Sequence, residues 1–266
     1  GGIPFREYPR NGVIRGLTDR DRRMELWRER MERDPYPAPA AIPMSRATKT
    51  LLGRLEDHGA LAVGGRTRGV QRVDEAAAAV TLESFLERRG KAYSEGISSP
   101  SLSRWSGSRL STHLAWGTLS IRQAIHALDD REAAIRRTRA AGDRSSERVK
   151  GWLKPLSSFR SRLYWHDHFC QRLEREPAME FHALNRAYQE LPYDDNRELQ
   201  VRLWAGRTGF PMVDAAVRSL TETGFVNFRM RAMIVSFATY ALHIDWRRLR
   251  DPMARIMADY LPGSNV

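Results

Sequence analysis

Apolar residues recur at helical spacing in block after block of this chain, and no block of useful length alternates with the period of two that a strand requires. Over residues 71–89, Val73, Ala76, Ala77, Val80, Phe85 and Leu86 fall near helical spacing, and Gly90 fits the position just past a helix end. A charged helix is predicted over 19–33. Pro35, Pro37, Pro39 and Pro43 exclude continuous helix after it, and Gly64 and Gly65 mark a second break. Residues 91–107 read as loop. Helices are expected to start near Ser108 and near Ser120, which can cap 121–128. The charged stretch 129–150 reads as solvated helix and loop. Ser157 can cap a helix running to Glu176, stopped by Pro177. Further helices are expected over 178–190, 198–204, 211–223, 227–242 and 252–259. The fold class predicted is all-α, without internal repeats.

Composition narrows the class. Of 266 residues, 41% are hydrophobic and 29% charged, enough apolar material for a sizeable core. Lys and Arg number 44 against 32 Asp and Glu, a formal charge of +12. Such a surface favours nucleic acid or an anionic membrane surface, solubility alone being the plainer account. The single cysteine, Cys170, excludes an internal disulfide and points to a reducing, cytoplasmic compartment. No apolar run approaches the ~20 residues of a membrane span. Residues 1–10 carry no signal-peptide pattern, and a Gly-Gly start without Met points to truncation or processing.

Three segments carry candidate chemistry. In Ser108-Arg109-Leu110-Ser111, Leu110 and Leu114 bury one helix face, leaving two hydroxyls, a guanidinium and free N–H groups in a first turn. That arrangement suits a phosphate or pyrophosphate, or it is an ordinary serine cap. In 165–170, His166 and Cys170 stand four apart, but no Cys pair or His-Glu-x-x-His pattern supports a metal. The reading there is a helix crossing a core, with Trp165 and Phe169 inside and the histidines at a pocket edge. In 204–259, a turn leads into a helix with Pro211 near its first position. The helix over 227–242 is apolar almost all round and is expected to be central and buried. Arg231 shares a face with Val235, Ala238 and Leu242, so its guanidinium should lie inside and require an anionic partner. Asp214, Asp245 and Asp259 are the candidates, and spacing does not choose among them.

These segments, in this order, resemble the FAD-binding domain of the DNA photolyase/cryptochrome family. The resemblance runs through YPRNGVIRGL (8–17), SRLSTHLAWGTLSIRQ (108–123), the helix carrying Trp165, WAGRTGFPMVDAAVRSLTETGF (204–225) and RMRAMIVSFATYALHIDW (229–246). It covers nearly the whole chain, and RLYWHDHF (162–169) points to a divergent bacterial branch. The resemblance implies one multi-helical domain over 1–266 with FAD as cofactor, without the family's N-terminal α/β antenna domain and ending before the flavin-proximal tryptophan. It implies that Tyr93 helps enclose the flavin, that Gly107, Ser108, Arg109, Leu110 and Ser111 form the phosphate turn, and that Arg231 and Asp259 pair beside the isoalloxazine ring. Asn265 falls, by spacing from Asp259, at the residue facing flavin N5. Trp165 matches an aromatic that stacks on the lesion, and Trp204 and Trp246 match two members of an electron-transferring tryptophan chain. Asn227 lies on the substrate side.

Four positions depart from the family pattern. Gly107 stands where Thr is common, Arg162 where a Glu contacts damaged bases, His166 where an Arg lies near the cofactor, and Phe228 where an Asn lies near the substrate. The implied function is light-driven repair of pyrimidine dimers by electron transfer from reduced FAD, as a deoxyribodipyrimidine photo-lyase. DNA is then the partner, and the protein is expected to be a monomer. Two alternatives are a cryptochrome-like photoreceptor without repair and a helical DNA-binding module that has lost the cofactor.

Overall fold

A computed structural model describes residues 10, 12–37, 39–41, 44–57, 69–194 and 196–265. Tyr8, Pro9, Asn11, Pro43, Gly64 and Gly65, on which some expectations rest, lie outside them. Among the described residues there are helices and no strands: α1 (Arg23–Glu32), α2 (Arg46–Asp57), α3 (Glu75–Glu87), α4 (Tyr93–Gly96), α5 (Ser103–Ser106), α6 (Ser111–Trp116), α7 (Ile121–Ala140), α8 (Leu153–Arg175), α9 (Arg197–Trp204), α10 (Pro211–Thr223), α11 (Phe228–Ser236), α12 (Trp246–Ile256) and α13 (Pro262–Asn265). No helix among them is long and apolar enough to cross a membrane.

Local chemistry sets the helix starts. The Asp74 carboxylate accepts from Ala77 N, and Asn196 and Asn227 do the same for Leu199 N and Met230 N. Ser120 and Gln123 form a reciprocal capping box at the start of α7. Pro211 opens α10, and Gly224, at φ 69°, closes it by donating its N–H to the Leu220 carbonyl.

Several boundaries differ from the sequence reading. Residues 91–107 hold two short helices, α4 and α5. Gly90 is not a left-handed cap; it lies buried in the 3-10 turn Arg89–Ala92. Ser157 sits inside α8, which begins at Leu153 with Pro155 in its first turn, where a missing N–H costs nothing. Residues 178–190 form only two 3-10 turns, Pro177–Glu180 and Arg186–Tyr188. Pro252 lies within α12, not at its start. The helix over 227–242 changes to π-helix over Phe237–Ala241 and is not sheathed: of its apolar residues only Ile234 and Ala238 are buried, and Tyr240 is exposed. Its apolar residues exceed what its neighbours can cover.

Two cores result. The first gathers Trp27, Phe85, Tyr93, Leu128, Leu156, Phe159 and their neighbours from α1, α3, α4 and α6–α8. At its centre Phe85, Tyr93 and Phe159 meet edge to face, with centroids 4.7–5.8 Å apart. The second gathers Leu203, Val217, Leu220, Ile234, Ile244 and Leu249 from α9–α12. Between them run a few polar joints. Asn227 Nδ2 donates to the Ser99 carbonyl and to Ser103 Oγ, both at 3.0 Å, and Trp116 Nε1 donates to the Ala258 carbonyl at 2.8 Å.

Candidate functional site

The seam between the cores opens into a cavity of about 600 Å³, within the range of small-molecule and cofactor sites. One wall descends from the first core. Burial in the aromatic cluster pushes the Tyr93 hydroxyl above the usual phenol range, with Arg162 opposing. Beyond it the chain turns through 107–111. Gly107 has no room for a side chain, since a Cβ there would lie 2.4 Å from the Ser103 carbonyl. Arg109 adopts φ 61°, a left-handed conformation costly for a residue with a Cβ. Its guanidinium lies 3.8 Å from the centroid of the Phe225 ring. Burial lowers its pKa to about 10, Asp259 opposing and Arg104, Arg89 and Arg231 adding to the fall, so it stays charged at neutral pH.

The turn precedes α6, which is only six residues long and starts at Ser111 rather than Ser108. Its carbonyls are held from behind. Arg89 donates to the carbonyls of Gly107, Ser108 (3.1 Å) and Thr81 (3.1 Å), and Gln71 Nε2 donates to the Arg109 carbonyl at 2.9 Å.

The opposite wall comes from α11, the segment after α12, and α13. Arg231 Nη2 donates to Asp259 Oδ2 at 2.7 Å, Nη1 to Asn265 Oδ1 at 3.3 Å, and Nε to the Val226 carbonyl. Asp259 is buried and Arg231 is largely covered. Of the three carboxylates left open by sequence spacing, Asp259 is the partner. Asp214 instead accepts from Thr208 N, Thr208 Oγ1 and Gly209 N, clasping the loop before α10. Burial raises its pKa, but those hydrogen bonds outweigh burial and hold it below the ordinary carboxylate value. Asp245 caps α12 and pairs with Arg247. Among the described residues, three buried polar atoms on the cavity lining lack a hydrogen-bond partner: Asp259 Oδ1, His166 Nδ1 and Ser264 Oγ.

Most predicted positions converge here. Tyr93, Gly107, Ser108, Arg109, Ser111, Arg162, Trp165, His166, Asn227, Phe228, Arg231, Asp259 and Asn265 all line the cavity. Leu110 does not; its side chain belongs to the first core. Trp165 and Phe169 are not core residues as read from spacing. They border the cavity, Trp165 being 43% exposed, while Leu163, Asp167 and Cys170 supply the buried face of α8. Asn227 touches the cavity but is consumed structurally, its amide spent on the α11 cap and the joint to Ser99 and Ser103. Trp204 packs against the second core and Trp246 starts α12; neither lines the cavity. Sequence reading missed Arg89, Gln71, His113 and Phe225, which lie far along the chain from the groups they support and carry no spacing signal.

Comparison with known proteins fits this geometry. Residues 159–266 match the family model described as the FAD binding domain of DNA photolyase. The C-terminal region of the chain belongs to the photolyase/cryptochrome family. Among curated relatives, the deoxyribodipyrimidine photo-lyase of Thermus thermophilus is 30% identical over 225 residues, 85% of this chain and 46% of that protein. The protein of the same name from Synechococcus is 34% identical over 175 residues, 65% of this chain and 33% of its own length. The chain thus spans about a third to a half of the photolyases it matches. A class III photolyase structure from Agrobacterium tumefaciens shares the fold, with TM-score 0.65 at 23% identity over 90% of this chain and 48% of that one. A cryptochrome structure from Synechocystis gives TM-score 0.63 at 25% identity over 76% and 40%. The all-α fold of this family is therefore the fold of the chain.

Proposed function

We propose that residues 1–266 act as the FAD-binding helical domain of a photolyase and that the protein repairs pyrimidine dimers in DNA. The largely buried Arg231–Asp259 pair at the cavity wall carries this reading, with Asp259 Oδ1 lacking a hydrogen-bond partner among the described residues. A carboxylate oxygen buried without a donor is costly, and a donor-bearing heterocycle in the cavity would satisfy it. The residues fit FAD. The 107–111 turn offers hydroxyls and N–H groups for a pyrophosphate, Tyr93 and His166 border the flavin space, and Arg231, Asp259 and Asn265 form its polar edge. Reduced flavin, when bound and excited, supplies one electron to a base and takes it back.

The protein's own part is to bind, orient and exclude water. Trp165 and Phe228, the latter 66% exposed, present apolar faces at the cavity to a base extruded from the duplex. Arg162 and Arg229 border the same opening, and with the +12 charge they suit phosphate contacts. Within this reading Trp204 and Trp246 carry electrons from the surface, and the protein is a cytoplasmic monomer. The names of the relatives favour repair over photoreception. The test is the absorbance spectrum of the purified protein followed by blue-light repair of a dimer-containing oligonucleotide. A flavin spectrum without repair would remove the catalytic part of the proposal, and absence of flavin would remove all of it.

A further inference from the structure

The Gly107 and Ser108 carbonyls of the turn are gripped by a permanent cation, Arg89, but the next one depends on a titratable network. Gln71 Nε2 donates to the Arg109 carbonyl at 2.9 Å and lies 3.0 Å from His113 Nε2. His113 Nδ1 lies 3.0 Å from Thr118 Oγ1, and the ring is fully buried in α6 beneath the turn. The Arg109 carbonyl fixes the orientation of the Gln71 amide, because the reversed amide would set two acceptors against each other. The other Nε2 hydrogen of Gln71 then points at His113, whose Nε2 must accept. The ring proton therefore sits on Nδ1, donated to Thr118, and the imidazole is neutral.

We propose that Gln71 and His113 are positioning residues for the cofactor, a strut that keeps the 108–111 turn in its binding shape only while His113 is neutral. The proposal rests on the flavin reading above. Protonation would place an N–H on Nε2 facing the Gln71 amino group, donor against donor. If the amide turns to accept with Oε1, which has no partner in the native arrangement, the Arg109 carbonyl loses its donor. Either way the left-handed Arg109 loses a restraint, and a backbone held at positive φ relaxes when its surroundings stop over-determining it. The groups around the ring agree. Gln71 and Thr118 are neutral, Arg10 is engaged with the Leu114 carbonyl, and Asp74 at the start of α3 is the carboxylate whose field favours protonation. Burial outweighs Asp74 and keeps the imidazole below its usual pKa. The strut is thus intact at neutral pH and is lost as the solution becomes acidic.

The test compares FAD with riboflavin, which lacks both phosphates and so does not use the turn. Fluorescence titration of the wild type in a pH series descending from about pH 8 to well below the free imidazole pKa, since burial holds His113 under that value, should show FAD affinity falling about tenfold while riboflavin affinity holds. Gln71→Leu should lower FAD affinity about tenfold at the top of that series, leave riboflavin affinity unchanged, and abolish the pH dependence. Unchanged riboflavin binding shows that the variant is folded, and the wild-type pH series needs no variant. A Gln71→Leu protein that keeps wild-type FAD affinity and pH dependence overturns the strut and leaves the flavin reading standing. A wild type that binds neither ligand overturns the flavin reading, and the strut's role with it.

Discussion

On one side of the cavity, three carbonyls of the 107–111 turn are gripped from behind by Arg89 and Gln71; on the other, a guanidinium and a carboxylate hold each other. The first side leans on an aromatic core and presents main chain and hydroxyls. The second leans on an aliphatic core and presents a buried ion pair. The physics of losing a part differs accordingly. A backbone carbonyl that loses one donor forfeits a modest hydrogen bond. A buried carboxylate that loses its cation is left charged in a poor solvent, at a far steeper cost. The turn side can therefore be tuned by single residues, whereas the ion-pair side holds or fails as a unit.

The largest effect that would break this contrast is at Arg231. Arg231→Ala strands Asp259 and should destabilise the protein by about 3–5 kcal/mol, read from urea unfolding. The Asp259 carboxylate is buried, so solvent cannot easily stand in for the guanidinium. A change near zero would make the two sides equivalent.

Next comes Asp214, which tests whether the α10 loop belongs with the steep side. Asp214→Ala removes the acceptor of three hydrogen bonds to a charged group and should lower the urea unfolding midpoint, by less than Arg231→Ala does. Its folded pKa is depressed, so this contribution is fully present above the ordinary carboxylate pKa and disappears as pH falls through the folded value. Wild type minus Asp214→Ala stability should accordingly be flat near neutrality and shrink below about pH 4. A difference that grows on acidification would show that the clasp does not favour the carboxylate.

Trp165 sharpens the comparison at the opening the two sides share. Its ring is partly exposed and meets His168 and Phe169 without entering either core. Trp165→Ala should lower preference for dimer-containing over undamaged DNA by about 1–3 kcal/mol in a competition assay, with salt-dependent binding to undamaged duplex unchanged. Loss of flavin or of fold in this variant would make Trp165 a structural residue instead.

The smallest effect on stability is expected on the turn side. Ser108→Ala with Ser111→Ala removes two hydroxyls that line the cavity, and unfolding free energy should change by no more than about 0.5 kcal/mol. FAD retention through gel filtration should nevertheless drop. Retention equal to wild type would remove the hydroxyls from the phosphate assignment and leave the main chain alone in that role.

Helical class, several starts and the interior placement of Arg231 were legible in the sequence, because each rests on neighbours within a turn or two. Ser120 caps α7, Pro211 opens α10, and the 3.6-residue period puts Arg231 on an inward face. The motif order also carried most of the cavity lining. Periodicity misjudged Trp165 and Phe169, since apolar spacing marks a face without saying whether a core or a cavity lies opposite. It misjudged the 227–242 helix for the same reason: a segment apolar all round is buried only if enough neighbours exist to surround it.

What only the tertiary structure decided are the contacts that neither spacing nor motif order carried. Spacing left Asp214, Asp245 and Asp259 open and the resemblance implied Asp259; the structure shows how it reaches Arg231, with Ala258 N–H donating to the Gly224 carbonyl at the α10–α11 connection, while Asp214 is captured by its own loop and Asp245 by its own helix start. The turn carbonyls find Gln71 and Arg89 from residues 38 and 18–19 positions away. Spacing encodes contacts within a helix, because the backbone fixes those distances. Contacts between helices are fixed by how two cores pack and by which polar groups that packing leaves facing each other, and no local period records that choice.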